Sequence, residues 1–192
     1  MYLMGNMNNL FIVSAPPGSG KTSLMRSLLD LIEIVSVTTR PPRKNEFHGK
    51  DYYFLTYEEM GQLRAANKFV QYLEYDSYSY GVTMDELQNK LLVNHAYVIV
   101  SYTGMLQLKK LVEKCTTIFI DTVQEDCIQN MLDRMDSQEV VNRRVQVYKS
   151  ERKFMRQYDY IIQNRGGNFA RALHELRMIV DKETGFMDKK IL

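Results

Sequence analysis

The chain lacks a long apolar run, since none of its segments approaches the roughly 20 residues that a membrane-spanning helix requires. Residues 1–9 show no basic region followed by an apolar stretch, so we expect no secretory signal. Cys115 and Cys127 have neither Cys-x-x-Cys spacing nor a nearby histidine cluster, which predicts reduced thiols and a cytoplasmic location. The net charge of +2 is too small to indicate nucleic-acid binding. We therefore expect one domain of 192 residues without nucleic-acid or membrane partners.

The chain does contain a glycine-rich run at residues 14–22, Ser-Ala-Pro-Pro-Gly-Ser-Gly-Lys-Thr. A short β-prone run at 10–13 precedes it, and leucines at helical spacing follow from 21 to 31. In a strand–turn–helix context, backbone N–H groups and the helix N-terminus bind phosphate. Lys21 would reach the β and γ phosphates, and the Thr22 hydroxyl would bind Mg²⁺. The predicted nucleotide-binding residues are Pro17, Gly18, Ser19, Gly20, Lys21, Thr22 and Ser23.

Ala15 occupies the position where the usual phosphate-loop pattern has its first glycine. Because a Cβ atom resists positive φ, we expect the start of this loop to differ or to be strained. The rest of the pattern, from Gly18 to Thr22, is intact.

Strand-like and helix-like segments alternate along the chain, which predicts an α/β fold with a parallel sheet covered by helices on both faces. An aromatic, β-rich stretch at 52–80 interrupts the alternation and is interpreted as an inserted lobe. Capping boxes predict helices that begin after Thr56 and Thr83. A second strand is predicted at 34–37, a turn at 76–81, and helices at 125–135 and 137–154.

Two arginines three residues apart, Arg40 and Arg43, lie beside the prolines of the run Ser-Val-Thr-Thr-Arg-Pro-Pro-Arg at 36–43. Guanidinium groups bind anions in a bidentate manner, and the prolines stiffen the segment. Tyr52 and Tyr80 could add phenolic hydroxyls to the same anion. The run therefore predicts an anion clamp.

The order of these motifs resembles that of the guanylate kinase family over roughly residues 8–180. The likeness rests on the phosphate loop, the run 36–43, Gly-Lys-Asp-Tyr-Tyr-Phe at 49–54, Tyr80-Gly81, Ile-Phe-Ile at 118–120, residues 144–151, and Tyr-Asp-Tyr-Ile-Ile-Gln-Asn at 158–164. The resemblance implies a phosphate-loop NTPase-type core at 8–35 and 96–180. It also implies a small acceptor-binding lobe at 36–82 and a helical lid around 125–150.

The resemblance further implies a reaction, in which the γ-phosphoryl group of ATP passes, with Mg²⁺, to a nucleoside monophosphate such as GMP or dGMP. Four residues match family positions that stabilise the transferring group: Lys21, Arg40, Arg134 and Arg144. The positions matched on the acceptor side are Ser36, Arg40, Arg43, Tyr52, Gln71, Tyr80 and Ser101, of which Arg40, Arg43, Tyr52 and Tyr80 match phosphate-holding positions. Such transfer depends on alignment and charge neutralisation more than on a strong base.

The sequence departs from the family pattern where the family reads the base and supports the metal. Gln71 replaces a glutamate, Ser101 falls in a strand that usually carries two aspartates, and Val82 replaces a serine or threonine. The position of a further lid arginine falls near Asn130 or Met131, and the lid is about one residue shorter. Glu74 and Asp76 could compensate for the missing carboxylates or could simply be surface residues.

Two other functions stay open at this point. The changes at Gln71, Val82 and Ser101 are compatible with a kinase of the same fold that phosphorylates another acceptor. A non-catalytic guanylate-kinase-like module that binds phosphopeptides is the second alternative, although the intact Gly-Ser-Gly-Lys-Thr run at 18–22 argues against it. ATP binding would separate the kinases from the module. The expected assembly is a monomer or a homodimer.

Overall fold

The computed structural model describes residues 8–166 and 168–185, so most of the segment examined for a secretory signal lies outside the described residues. The strands in chain order are β1 (Leu10–Ser14), β2 (Ile32–Glu33), β3 (Val37–Thr38), β4 (Tyr53–Phe54), β5 (Phe69–Tyr75), β6 (Tyr78–Thr83), β7 (Ala96–Ile99), β8 (Cys115–Asp121) and β9 (Tyr160–Gln163). The helices are α1 (Lys21–Arg26), α2 (Tyr57–Ala65), α3 (Met84–Val93), α4 (Tyr102–Lys109), α5 (Gln124–Asp133), α6 (Gln138–Arg152) and α7 (Phe169–Thr184). Within the described ranges, none of these helices has the length and apolarity to span a bilayer.

The core is a five-stranded sheet in the order β2-β7-β1-β8-β9, and all its pairings are parallel. Every residue of β1 is buried. Leu10 and Ile12 pack into one apolar cluster and Phe11 and Val13 into another, because alternate side chains point to opposite faces of a strand. The sheet is therefore covered on both faces, and its strands read as continuous apolar runs. In such sheets ligands bind at the carboxyl ends of the strands, where the glycine-rich loop follows β1.

The inserted lobe is a second sheet in the order β4-β3-β6-β5, formed by chain between β2 and α3. Strands β5 and β6 form an antiparallel hairpin in which Tyr75 pairs with Tyr78. The prediction of a turn at 76–81 is therefore wrong, because only Asp76 and Ser77 form the turn. Both have positive φ, 51° and 65°, as a two-residue hairpin turn requires.

The first helix and second strand also differ from the prediction. Helix α1 ends at Arg26, since the next two amides bond to carbonyls only three residues back. Leu28 and Leu31 are still buried, so their spacing serves the core without a helix. The strand predicted at 34–37 is wrong in its bounds, because β2 ends at Glu33 and β3 begins at Val37. Between these strands the amide of Val35 donates to Glu86 Oε1 (3.1 Å). The carboxylate of Glu86 is therefore bonded to Val35 and does not complete the capping box predicted at Thr83.

The segment predicted as a lid consists of helices α5 and α6, with the predicted break between them, and this pair is called the lid below. Met135 takes a φ of 63° and the chain reverses there. A small separate core holds the two helices together and contains Cys127, Met131, Val141 and Tyr148. The predicted α/β class with a parallel core flanked by helices is confirmed, and the structure also contains the inserted β-rich lobe and the helix pair predicted as a lid.

Candidate active site

The loop between β1 and α1 is shaped by two glycines with positive φ, Gly18 (80°) and Gly20 (78°). A Cβ atom on Gly18 would overlap the carbonyl oxygen of Cys127, and one on Gly20 would lie 2.9 Å from Asn164 Nδ2. Ala15 is buried and does not have positive φ, so the expected strain at that position is not observed. The two glycines supply the tight turn without a third.

Side chains from other elements hold the carbonyl groups of this loop. Asn164 Nδ2 and Thr122 Oγ1 donate to the carbonyl of Ser19, at 2.7 and 3.3 Å. Asn130 Nδ2 donates to the carbonyl of Gly18 at 2.8 Å. Since the N–H and C=O of a trans peptide point in opposite directions, a bonded Ser19 carbonyl aims the N–H of Gly20 to the other side of the loop. The loop is therefore fixed before a ligand binds.

Lys21, the first residue of α1, lies in a strongly cationic environment. Burial, and next the charges of Arg134 and Arg144, together lower the pKa of Lys21 from 10.5 to about 8. Cys127 and Glu151 act in the opposite direction with smaller effects on this pKa. Three positive groups that converge on a glycine-rich loop form a site for a polyanion.

One carboxylate holds the two lid arginines. Asp136 Oδ2 accepts from Arg144 Nη1 at 2.7 Å and from Arg134 Nη2 at 3.3 Å. The Asp136 side chain is only 12% exposed, so these charge-assisted bonds are only weakly screened by solvent. Asp136 therefore fixes both arginines relative to the lid.

The acceptor-lobe arginines are arranged in the same way around Glu46. Arg40 Nη2 lies 2.9 Å and Arg43 Nη1 3.4 Å from this carboxylate, and the backbone N–H of Arg43 donates to it at 2.8 Å. The Arg40 guanidinium also lies 5.4 Å from the ring centroid of Tyr52, which contacts the Tyr80 ring. Burial raises the pKa values of both tyrosines, and the charge of Arg40 offsets only part of this rise. The four predicted phosphate-holding residues are thus brought together.

The lid and the acceptor lobe face each other across the site. The pKa of Arg144 is lowered first by burial and next by the charge of Arg43, which places the two pairs of arginines in one electrostatic field. In addition, Arg143 Nη1 lies 3.4 Å from Asp76 Oδ1 at the tip of the β5–β6 hairpin. Anionic groups bound between the two parts would be surrounded by cations from both.

The residues predicted to contact the base lie in three places. The carbonyl of Ser36 accepts from Tyr53 N (2.9 Å), at the end of the lobe sheet. Ser101 caps α4, since its Oγ accepts from Gly104 N at 3.3 Å. Gln71 is buried on β5, and its Nε2 atom has no hydrogen-bond partner in the described ranges.

Comparison with known proteins gives the family. The guanylate kinase family model matches residues 7–183. The chain belongs to the guanylate kinase family. It is 34% identical to the guanylate kinase of Geobacter metallireducens over 181 residues, which covers 91% of this chain and 88% of the relative. It is 38% identical to that of Protochlamydia amoebophila over 192 residues, with 95% of each chain covered.

A solved structure supports the fold. The crystal structure of guanylate kinase from Anaplasma phagocytophilum superposes with a TM-score of 0.74 and covers 93% of this chain and 87% of that one. At 23% identity this likeness concerns the fold alone. The match to the family model confirms the family assignment that the motif order suggested, and the solved structure has the same architecture.

Several residues of this guanylate kinase site were not assigned a role from sequence. Glu46 lies three residues from Arg43, and Asp136 lies two residues from Arg134. That each carboxylate bridges two arginines is visible only in the folded structure. Asn164 closes the Tyr-Asp-Tyr-Ile-Ile-Gln-Asn run, so its position in the motif was the available signal. Thr122 follows β8, and no sequence pattern indicated its contact with the loop. Asn130, near the expected position of a further arginine, bonds the loop instead.

Two acidic residues near the phosphate loop, Asp121 and Glu151, already have hydrogen-bond partners. Asp121 is buried and bonds Arg152 at 2.8 and 3.2 Å, while Glu151 accepts from the amide of Tyr102 at 3.2 Å. Burial raises the pKa of Glu151, although the amide hydrogen bond and Lys21 oppose this shift. Glu74, proposed as a compensating carboxylate, bonds Arg64 and is exposed.

The donor set fits a magnesium ion that arrives with the nucleotide. The described residues contain no group of three or more His, Cys, Asp or Glu side chains placed to hold a metal ion. Thr22, in the first turn of α1, provides one hydroxyl oxygen. Mg²⁺ retains several waters and takes phosphate oxygens readily, so one protein ligand is sufficient for a phosphate-bound ion.

Proposed function

We propose that this chain transfers the γ-phosphoryl group of ATP to GMP. The observation that carries the proposal is the arrangement of two carboxylate-bridged arginine pairs. Arg134 and Arg144 lie beside Lys21 of the phosphate loop, and the second pair, Arg40 and Arg43, lies within the electrostatic field of Arg144. Phosphoryl transfer requires cations on both reacting phosphates and little covalent chemistry from the protein. Membership of the guanylate kinase family supports GMP as the acceptor.

On the acceptor side, we assign the α-phosphate to Arg40 and Arg43, with hydroxyl groups from Tyr52 and Tyr80. The rigid arrangement of Arg40 between Glu46 and the Tyr52 ring supports this assignment, because a fixed guanidinium binds a phosphate with less loss of conformational freedom. The base is assigned to Ser36, Gln71 and Ser101.

On the donor side, we assign the ATP phosphates to residues 17–23. Lys21, Arg134 and Arg144 would neutralise the charge that develops as the phosphoryl group moves, and Arg40 would do so from the acceptor. Burial, and next the charges of Arg134 and Arg144, lower the pKa of Lys21, and the proximity of these three cations supports their roles. Closure of the lid would exclude water that competes as acceptor.

Mg²⁺ would be held by the Thr22 hydroxyl and the nucleotide phosphates, where it supplies positive charge between them. The same proposal divides the chain into a nucleotide-binding core at 8–35 and 96–180, an acceptor lobe at 36–82, and a lid around 125–150. We further propose a cytoplasmic monomer or homodimer. Its two cysteines are free, in keeping with a reducing compartment.

The test is an ADP-release assay with ATP and Mg²⁺ against a panel of nucleoside monophosphates and small phosphorylated sugars. GMP turnover is expected, and Lys21→Ala should lower it at least ~100-fold because a cation is removed from the transition state. Retained turnover in Lys21→Ala would contradict the assignment of the loop. ATP binding without turnover on any acceptor would contradict the proposed reaction.

A further inference from the structure

Gln71 carries a buried hydrogen-bond donor that the protein does not use. The residue is 3% exposed, and its Nε2 atom has no partner among the residues that the structure describes. A buried amide that donates no hydrogen bond is unfavourable, and native proteins rarely retain one without a reason. The atom indicates a ligand that brings its own acceptor.

The strand register places Gln71 on the face of the lobe sheet that binds the acceptor. Gln71 is opposite Val82, and Leu73 is opposite Tyr80. Because side chains alternate along a strand, Gln71 and Tyr80 lie on the same face, one two-residue step apart. Thr38, opposite Tyr80 on the other side, shares this face. The carboxamide thus lies one two-residue step along the sheet from Tyr80, the tyrosine assigned above to the acceptor phosphate.

Helix α4 closes the other side of the carboxamide. A Cβ atom on Gly104 would lie 3.3 Å from both Cγ and Nε2 of Gln71, so the helix backbone packs directly on the amide. The nearby hydroxyl of Ser101 is already engaged with Gly104 N and with Thr103 Oγ1 (2.9 Å). Among the residues that the structure describes, the Nε2 donor of Gln71 therefore has no hydrogen-bond partner.

We propose that Gln71 reads the N1–H and C6=O edge of a 6-oxopurine, so that the enzyme phosphorylates inosine monophosphate as well as GMP. The inference rests on the proposed function. A carboxamide donates from Nε2 to the C6 oxygen and accepts at Oε1 from N1–H. Guanine and hypoxanthine share both groups. The 2-amino group that distinguishes guanine receives no partner from a carboxamide used in this way.

A carboxylate in the same place would discriminate differently. It only accepts, so it would pair with N1–H and the 2-amino group of guanine and would lose one charge-assisted bond with hypoxanthine. Gln71→Glu should therefore convert an enzyme that accepts both 6-oxopurine nucleotides into one that prefers GMP.

The experiment measures kcat/KM for GMP, inosine monophosphate and AMP by ADP release, with the full chain, saturating ATP and Mg²⁺. In the unmodified protein, the values for GMP and inosine monophosphate should agree within about tenfold. Gln71→Glu should raise their ratio by roughly 10- to 100-fold. Gln107→Glu is the matched control: this exposed residue of α4 bonds the backbone of Tyr72, and its change should leave the ratio unaltered.

Distinct outcomes separate failure of this inference from failure of the proposed function. GMP turnover with a more than ~100-fold preference over inosine monophosphate would overturn the inference alone. AMP turnover as fast as GMP turnover would also overturn it, because adenine presents the donor and acceptor in reverse order. Absence of turnover with every acceptor would contradict the proposed function. If Gln71→Glu does not fold, Gln71→Met must lower kcat/KM for both 6-oxopurine nucleotides by the same factor, and unequal factors refute the inference.

Discussion

Replacement of Lys21 by methionine should stabilise the nucleotide-free protein while it removes activity. Burial, followed by Arg134 and Arg144, lowers the pKa of Lys21 from 10.5 to about 8, so the folded protein disfavours the ammonium that is present at pH 7. Each pKa unit corresponds to ~1.4 kcal/mol, which gives on the order of 3 kcal/mol. Solvent screening of the half-buried side chain reduces this to roughly 2 kcal/mol.

The sign of the pH dependence follows from the same shift. Between pH 8 and 10.5 the unfolded chain binds more protons at Lys21 than the folded chain, so stability of the unmodified protein rises with pH in that window. The free energy of unfolding, from urea titrations without nucleotide, should therefore be higher for Lys21→Met below about pH 8. The difference should disappear towards pH 10.5.

Lys149→Met is the control, since Lys149 is an exposed residue of α6, and its replacement should leave stability nearly unchanged at every pH. Saturating ATP should reverse the order of stability, because it stabilises only the protein that binds it. A Lys21→Met variant that is less stable than the unmodified protein at pH 7, or a difference independent of pH, would refute the reasoning.

Two further predictions concern the bridging carboxylates. Asp136→Asn should lower kcat roughly 10- to 100-fold and change the KM for GMP little, because the substitution releases the lid arginines but not Arg40 and Arg43. Steady-state kinetics would measure this effect, with Asp133→Asn, an exposed residue of the lid, as the control. An equal loss of kcat in both variants would contradict the prediction. Glu46→Gln should instead raise the KM for GMP about tenfold because it loosens Arg40 and Arg43; an unchanged KM would count against this role.

Local patterns were sufficient to predict much of the fold. The buried strand at residues 10–13 and the helix after Thr56 follow from apolar runs and a complete capping box. Leu28 and Leu31 misled the prediction, since apolar spacing cannot distinguish a helix from a turn that also faces the core. Glu86 bonds an amide 51 residues away, which no local pattern reveals.

The site was predictable where chemistry is concentrated in a short motif, as in the phosphate loop and the pair Arg40 and Arg43. Its supporting residues were not, because Thr122 contacts the loop across 103 residues. The orphan donor of Gln71 likewise appears only when burial and the neighbouring helix are known. Residues that contact a ligand can be recognised from short sequence motifs more readily than the residues that hold those ligand-contacting residues in place.

The carboxylates of Glu46 and Asp136 act as built-in counterions. Each arginine pair has one carboxylate beside it in the absence of ligand, so an incoming phosphate meets a site whose positive charge is already partly neutralised. Fewer mobile salt ions gather around such a site than around four unpaired guanidinium groups, and fewer are released when the nucleotide binds. Nucleotide affinity should therefore depend on ionic strength less steeply than the number of arginines suggests.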